Sequence, residues 1–329
     1  MKKMLSFLAA GLIAAALSTV TPTGPVQAGE TWDMPTPYGD GNFHTININA
    51  FAADVKAATK GALEIKVHSA GSLFKHPEIK NAVRGGQVPI GEFLLSRLSN
   101  ENAIFAVDSV PFLATDYDAA GKLWAVSRGK TEALFDKQGL KVLFAVPWPP
   151  QGIYANKPLN SVDDLKGVKF RAYNTATERI AQLAGAVPTQ IELADIAQAF
   201  STGRVEAMIT SPSTGVSHKT WDFLSHFYHT QAWLPKNIVV VNKKAFAGLD
   251  ASVQAAVLAA AEKAEARGWQ ASRDETDKKM KILADNGMKV GAPGPAFKAG
   301  LEAIGKTMTD EWAGQAGADG KAILKAYGG

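Results

Sequence analysis

Short apolar runs rich in β-branched residues alternate with helix-patterned stretches along most of this chain, and that alternation limits its folds more than any other feature. Leu63–His68 ("LEIKVH"), Lys141–Val146 ("KVLFAV"), Val168–Tyr173, Val205–Thr210 ("VEAMIT") and Ile238–Asn242 ("IVVVN") read as strands. Helical spacing predicts helices over Phe43–Thr59, Pro77–Arg84, Tyr117–Gln138, Thr175–Leu183, Leu193–Thr202 and Ser213–Phe223. Strands alternating with helices imply an α/β architecture whose sheets are mostly parallel and covered on both faces. The stretch Asp250–Asn286 departs from the pattern: an Ala/Glu/Lys-rich interior runs from an acidic cap candidate to Gly287. As one helix it would be about 55 Å long, more than a small domain is wide, so it should straddle two domains, with Gly268 as a bend point. The Pro-rich "PWPPQG" at 147–152 marks the boundary between them.

The amino terminus carries an address. Lys2 and Lys3 precede an apolar run from Leu5 to Val20, and a polar stretch ends in Val26-Gln27-Ala28, the pattern of a secretory signal peptide cut after Ala28. That run of about 16 residues is shorter than the roughly 20 a membrane anchor needs. Removing residues 1–28 takes away two of the 35 basic residues and none of the 31 acids, leaving a net charge of +2. Such a balance argues against a nucleic-acid partner, which calls for a basic face. With no cysteine, the exported chain cannot lean on disulfides and must fold by core burial.

Enzyme signatures are missing. The chain contains no G-x-S-x-G, G-x-x-x-x-G-K-[ST] or H-E-x-x-H motif, and its glycines at 85, 86 and 91 form no dinucleotide fingerprint. His226 and His229, three apart, lack a Cys or carboxylate in their stretch and read as packing or surface residues, so neither a metal nor a cofactor is expected. Asp163 and Asp164 fit the first turn of a helix after Ser161. Strand ends are more informative, because ligands of open α/β sheets bind beyond the carboxyl ends of strands. There the chain places Arg171, Tyr173 and Asn174, then Thr210 and Ser211, while Trp148 and Gln151 flank the Pro-rich crossover and Trp233 precedes the last strand. Arg171 and Tyr173 share one face of their strand. A buried guanidinium there calls for an anion, either a ligand or an interdomain salt bridge.

Two segments carry a family resemblance: "SVDDLKGVKFRAYN" at 161–174 and "LAGAVPTQIELADIAQAFSTGRVEAMITS" at 183–211. With weaker support from "AGSLF" (70–74), "AVRGGQVPIG" (82–91) and "VPFL" (110–113), the chain resembles the periplasmic substrate-binding proteins of TRAP (tripartite ATP-independent periplasmic) transporters. The resemblance implies a two-lobed α/β binding protein with mixed, mostly parallel sheets and a long helix spanning both lobes. Lobe I would be residues 29–150, with roughly 240–285 returning to it. Lobe II would be 151–239, with roughly 286–329 packing on it. A periplasmic organic acid would close between the lobes and pass to membrane permease subunits, without catalysis. The family's signature arginine falls on Arg171, which would pair with the ligand carboxylate. A guanidinium fork suits two oxygens in a way lysine cannot.

This chain also departs from many members, which place a second arginine near the position of Gln151 and an asparagine where Thr210 or Ser211 stands. One arginine flanked by amide and hydroxyl favours a monocarboxylate over a dicarboxylate. Trp148, Tyr173 and Trp233 are expected as walls of the site, with Phe93 and His44 contributing from the amino-terminal lobe. Two other classes compete with this reading. A secreted hydrolase or lyase acting on a small carboxylic acid would use Arg171 as a clamp but needs a base or nucleophile nearby. A sensor module would present the same binding lobes to a membrane receptor.

Overall fold

The computed structural model describes residues 29–328. In chain order the elements are β1 (Glu30–Pro35), α1 (Phe43–Ala58), β2 (Leu63–His68), α2 (His76–Arg84), β3 (Ile90–Leu94), α3 (Tyr117–Asp136), β4 (Leu140–Pro147), β5 (Gly152–Ala155), β6 (Lys169–Ala172), α4 (Thr175–Leu183), β7 (Val187–Gln190), α5 (Ile196–Ser201), β8 (Ala207–Thr210), α6 (Pro212–Ser217), β9 (His226–Tyr228), β10 (Lys236–Asn242), α7 (Lys243–Gly248), α8 (Ala251–Asp285), β11 (Lys289–Gly291) and α9 (Pro295–Tyr327). The proposed signal peptide lies outside the described residues. None of the described helices is long and apolar enough to cross a membrane.

The first lobe is built on β10. Its Ile238–Val241 run is buried on both sides, which is why it carries no polar alternation. β10 lies between β3 and β4 and runs antiparallel to each. Val239 and Val241 join Phe51 and Phe144 in one core, while Ile238 and Val240 join Phe93 and Phe135 in another. β1 and β2 add a small parallel sheet beside it. The second lobe holds six strands in the order β11-β9-β5-β8-β6-β7. Of its five pairings, β5 with β8 and β5 with β9 are antiparallel and the others parallel. Antiparallel pairing is thus more frequent than strand-helix alternation alone indicates, because β4, β5 and β10 begin or end at crossings between lobes rather than in βαβ units.

Two of those crossings run side by side. The Pro-rich segment leaves β4 for β5, and residues 230–235 return from β9 to β10. Trp148 N–H donates to Pro235 O (2.8 Å), Gln151 N–H to Trp233 O (2.9 Å) and Ala232 N–H to Gln151 O (3.0 Å). Pro149 and Pro150 have no N–H to offer, so the ladder stops between these contacts.

α8 runs unbroken for 35 residues, about 52 Å, and touches both lobes. Near its middle, Asn47 Nδ2 donates to Ala264 O and Trp269 Nε1 to Ala145 O in the first lobe. Further along, Glu275 accepts from Ser213 Oγ, and Leu283 enters the core of the second lobe. Gly268 is not a bend. A Cβ there would lie 2.4 Å from Val146 Cγ2 and 2.7 Å from Asn47 Nδ2, so the glycine lets helix and sheet approach. The helix expected over 213–223 is two short turns, parted where Lys219 takes a left-handed conformation (φ 47°). That over 193–202 opens with a 3-10 turn before α5. α9 was not foreseen. Its glycines lower helix propensity, and Gly317 (φ 59°) breaks it into two segments. The first packs on α4 through Arg179 and Glu311. Beyond Gly317, Asp319 pairs with Lys130 of α3, so the carboxyl-terminal helix serves both lobes.

Candidate functional site

Where the lobes meet, the crossing strands and the ends of β6 and β8 line a small, partly open cleft. Trp148, Gln151, Arg171, Tyr173, Thr210 and Ser211 line it, as the strand-end argument predicts.

Arg171 is 2% exposed, and Nε donates to Ile191 O at 3.1 Å. Among the described residues no carboxylate pairs with it, and its terminal nitrogens make no hydrogen bond. The interdomain salt bridge considered as an alternative is therefore not formed. Cζ lies 5.1 Å from the centroid of the Tyr173 ring. Burial drives the guanidinium down from above 12 to about 10, opposed by Tyr173 and Glu192, with Arg97 adding to the fall. A charge kept in that position without a protein partner is suited to an anion.

Behind this group the polar side chains satisfy one another. Trp233 Nε1 donates to Tyr173 Oη (3.3 Å), Tyr173 Oη to Gln151 Oε1 (3.1 Å) and Gln151 Nε2 to Pro149 O (2.9 Å). Burial raises the Tyr173 hydroxyl well above its ordinary value, so it stays a donor. Gln151 is thereby committed to the hinge, and its amide sets the Tyr173 ring. Ser211 Oγ caps α6, accepting from Thr214 N–H and donating to Thr214 Oγ1, each at 3.1 Å.

Four expected residues lie off the wall. Fully buried Trp233 sits behind Tyr173. Asn174 caps α4 and reaches across the lobes, its Nδ2 donating to Ser96 Oγ at 2.8 Å. Phe93 points into the core with Phe135, since alternation along β3 sends its neighbour Leu94 toward the cavity instead. His44 packs behind Trp148 at 4.5 Å between centroids, and burial keeps it neutral. Trp148 is also held by Asn237, whose Oδ1 accepts from its Nε1 (2.9 Å) and from Tyr38 Oη (3.0 Å), while Asn237 Nδ2 donates to Glu92 (3.0 Å).

Sequence reasoning missed the first lobe's share of the lining: Tyr38, His76, Leu94 and Arg97, together with Glu192 from the second. Arg97 follows β3 directly, and Glu192 sits inside the motif "TQIELAD", but only the tertiary structure brings them together. Arg97 Nη2 donates to Glu192 Oε1 at 2.8 Å and Nη1 to Oε2 at 3.2 Å. The same Nη1 reaches Tyr173 O at 3.2 Å, so this pair clasps the lobes across the cleft. Among the described residues no group of three or more His, Cys, Asp or Glu side chains is placed to hold a metal.

Residues 38–315 match the bacterial extracellular solute-binding proteins of family 7. The solved structure of DctP7, a Bordetella pertussis extracytoplasmic solute receptor binding pyroglutamic acid, is 47% identical, with a TM-score of 0.90 over 91% of this chain and 99% of that one. A marine metagenome TRAP solute-binding protein specific for pyroglutamate is 44% identical, with a TM-score of 0.89 over 91% and 98%. The C4-dicarboxylate-binding periplasmic protein DctP of Rhodobacter capsulatus is 26% identical over 82% of each chain. A two-lobed fold, a hinge of crossing strands and a buried arginine facing a small cleft accompany these matches, and the chain belongs to family 7 of the bacterial extracellular solute-binding proteins, the organic-acid receptors of TRAP transporters.

Proposed function

We propose that this receptor binds pyroglutamate, a small cyclic monocarboxylate, and delivers it to the membrane permease of a TRAP transporter. The observation that carries the reading is Arg171: a buried guanidinium with free terminal nitrogens on the wall of the cleft between the lobes. Its fork would take the carboxylate, with the faces of Trp148, Tyr173 and Tyr38 beside the flat ring and Thr210 and Ser211 as polar neighbours. Relatives at 44–47% identity whose structures are described with pyroglutamate support the choice of ligand. In this reading the cleft lies between a lobe of residues 29–150, with β10 and the first part of α8, and a lobe of 151–229, with β11; the expected boundary at 239 moves back because β10 belongs to the first lobe's sheet.

The alternative of an enzyme finds no support in the site. Ser211 Oγ is engaged with Thr214 rather than with an imidazole, and Tyr173 Oη is committed to Gln151. Export would remove residues 1–28, so intact mass of the periplasmic protein should correspond to a chain starting at Gly29. The ligand is tested by thermal denaturation with pyroglutamate, proline and glutarate. Pyroglutamate at 100 times its Kd should add about 2.7 kcal/mol of stability. A shift with another acid and none with millimolar pyroglutamate would sink the assignment. Recovery of pyroglutamate unchanged after long incubation, read by NMR, is the result expected of a binder.

A further inference from the structure

Among the described residues three charged side chains face the cavity. Besides Arg171 there are Arg97, from the segment after β3, and Glu192, from the segment after β7. The other ionisable groups on the lining are neutral. His76 Nε2 accepts from Leu94 N–H (3.1 Å), a bond only an unprotonated nitrogen can make, and burial together with Arg97 lowers its affinity for a proton. Burial raises both Tyr38 and Tyr173. Two guanidiniums and one carboxylate leave the lining with one net positive charge.

We propose that Glu192 fixes how many negative charges the cavity accepts, so that it, rather than Arg171, is the residue that separates monocarboxylates from dicarboxylates. The inference rests on the reading of this cleft as a carboxylate site. A monoanion brings the filled cavity to neutrality. A dianion leaves one charge uncompensated beside the buried Arg171, where an unpaired charge is costly. Among the described residues Arg97 is the one further cation on the lining that could meet a second carboxylate, and Glu192 already accepts two hydrogen bonds from it. A dicarboxylate would have to displace Glu192 or lie beside it, and like charges at that range repel.

Charge can be varied here at nearly constant shape. Glu192→Gln keeps a carbonyl oxygen for Arg97 and takes the lining to two positive charges. Arg97→Gln takes it to zero, and the double variant returns it to one. The affinities of the mature protein for pyroglutamate and for glutarate, a dianion of similar length, are measured by calorimetry on each form, with melting curves to establish folding. In Glu192→Gln the ratio of affinities should move toward glutarate by about 10- to 100-fold. In the double variant it should return close to the wild-type ratio, and in Arg97→Gln it should move the opposite way. If Glu192 serves only to anchor Arg97, both ligands weaken together. An unchanged ratio in a folded Glu192→Gln, or in Arg97→Gln should the former fail to fold, overturns the proposal. Pyroglutamate binding with an unchanged ratio leaves the ligand assignment standing and removes the charge rule. No pyroglutamate binding, with a shifted ratio for another pair of matched mono- and dicarboxylates, does the reverse. Loss of every carboxylate in the wild type removes both.

Discussion

Replacing Arg171 by methionine separates a ligand-holding arginine from a structural one, because the two roles predict opposite changes in the same protein. In the ligand-free receptor Arg171 is a buried charge without a carboxylate partner, and burial lowers its guanidinium from its ordinary value to about 10. That displacement corresponds to about 3 kcal/mol held against folding at neutral pH. Methionine of similar length removes this cost. It also orphans Ile191 O, which now accepts from Nε, and an unsatisfied buried carbonyl costs about 1–3 kcal/mol. The two effects nearly cancel, so the melting temperature without ligand should stay within a few degrees of wild type. Binding should not survive. Losing one member of a buried, hydrogen-bonded charge pair costs about 2–5 kcal/mol, roughly 30- to several-thousand-fold in affinity. Arg171→Lys should recover only part of that loss, since it restores the charge without the fork. Differential scanning calorimetry without ligand and titration calorimetry with pyroglutamate, on one preparation, give both quantities. A melting temperature lowered by ten degrees or so with near-normal affinity would refute the reasoning and make Arg171 a structural residue.

Three further outcomes follow from the geometry. Burial raises the Glu92 carboxyl to about 7, opposed by its bonds from Thr36 and Asn237. The native state therefore keeps a proton that the unfolded chain releases near 4.3. The stability this confers is full below that value and is lost as pH rises through about 7, amounting to about 3 kcal/mol. The difference in unfolding free energy between wild type and Glu92→Gln, followed from pH 4 to 8, should change in that sense. Gly268→Ala drives a methyl into Val146 and Asn47 and should cost about 1–3 kcal/mol in chemical denaturation, with Trp269 beside it reporting the transition. Trp148→Phe should remove most of the ligand-induced change in tryptophan fluorescence, whereas Trp233→Phe should leave most of it, since only Trp148 reaches the cavity.

Much of the second lobe's contribution was legible because it is local. A strand ending in "KFRAYN" puts Arg171 and Tyr173 on one face by its two-residue period, and Thr210 and Ser211 end a neighbouring strand by the same logic. The long helix was legible from composition and from the distance between its caps. The misplaced residues share a cause. Phe93, His44 and Trp233 are large and lie close to the site, and Asn174 is drawn off to cap α4 and bond Ser96; which way each points depends on strand register and on what packs beside it, and a single run of sequence fixes neither. α9 escaped notice because its glycines and alanines have little helical pattern of their own. Close packing, such as Gly305 against Phe112, holds them in a helix.

The sequence by itself determined the α/β alternation, the export signal's pattern and the place of Arg171 at a strand end, since each depends on spacing over a few residues. Tertiary structure decided the charge of the cavity. Arg97 and Glu192 are separated by 95 positions and come from different lobes, and their pairing exists only when the hinge brings those lobes together. A net charge is a sum over everything that faces one space, and which residues face it is a property of the folded chain.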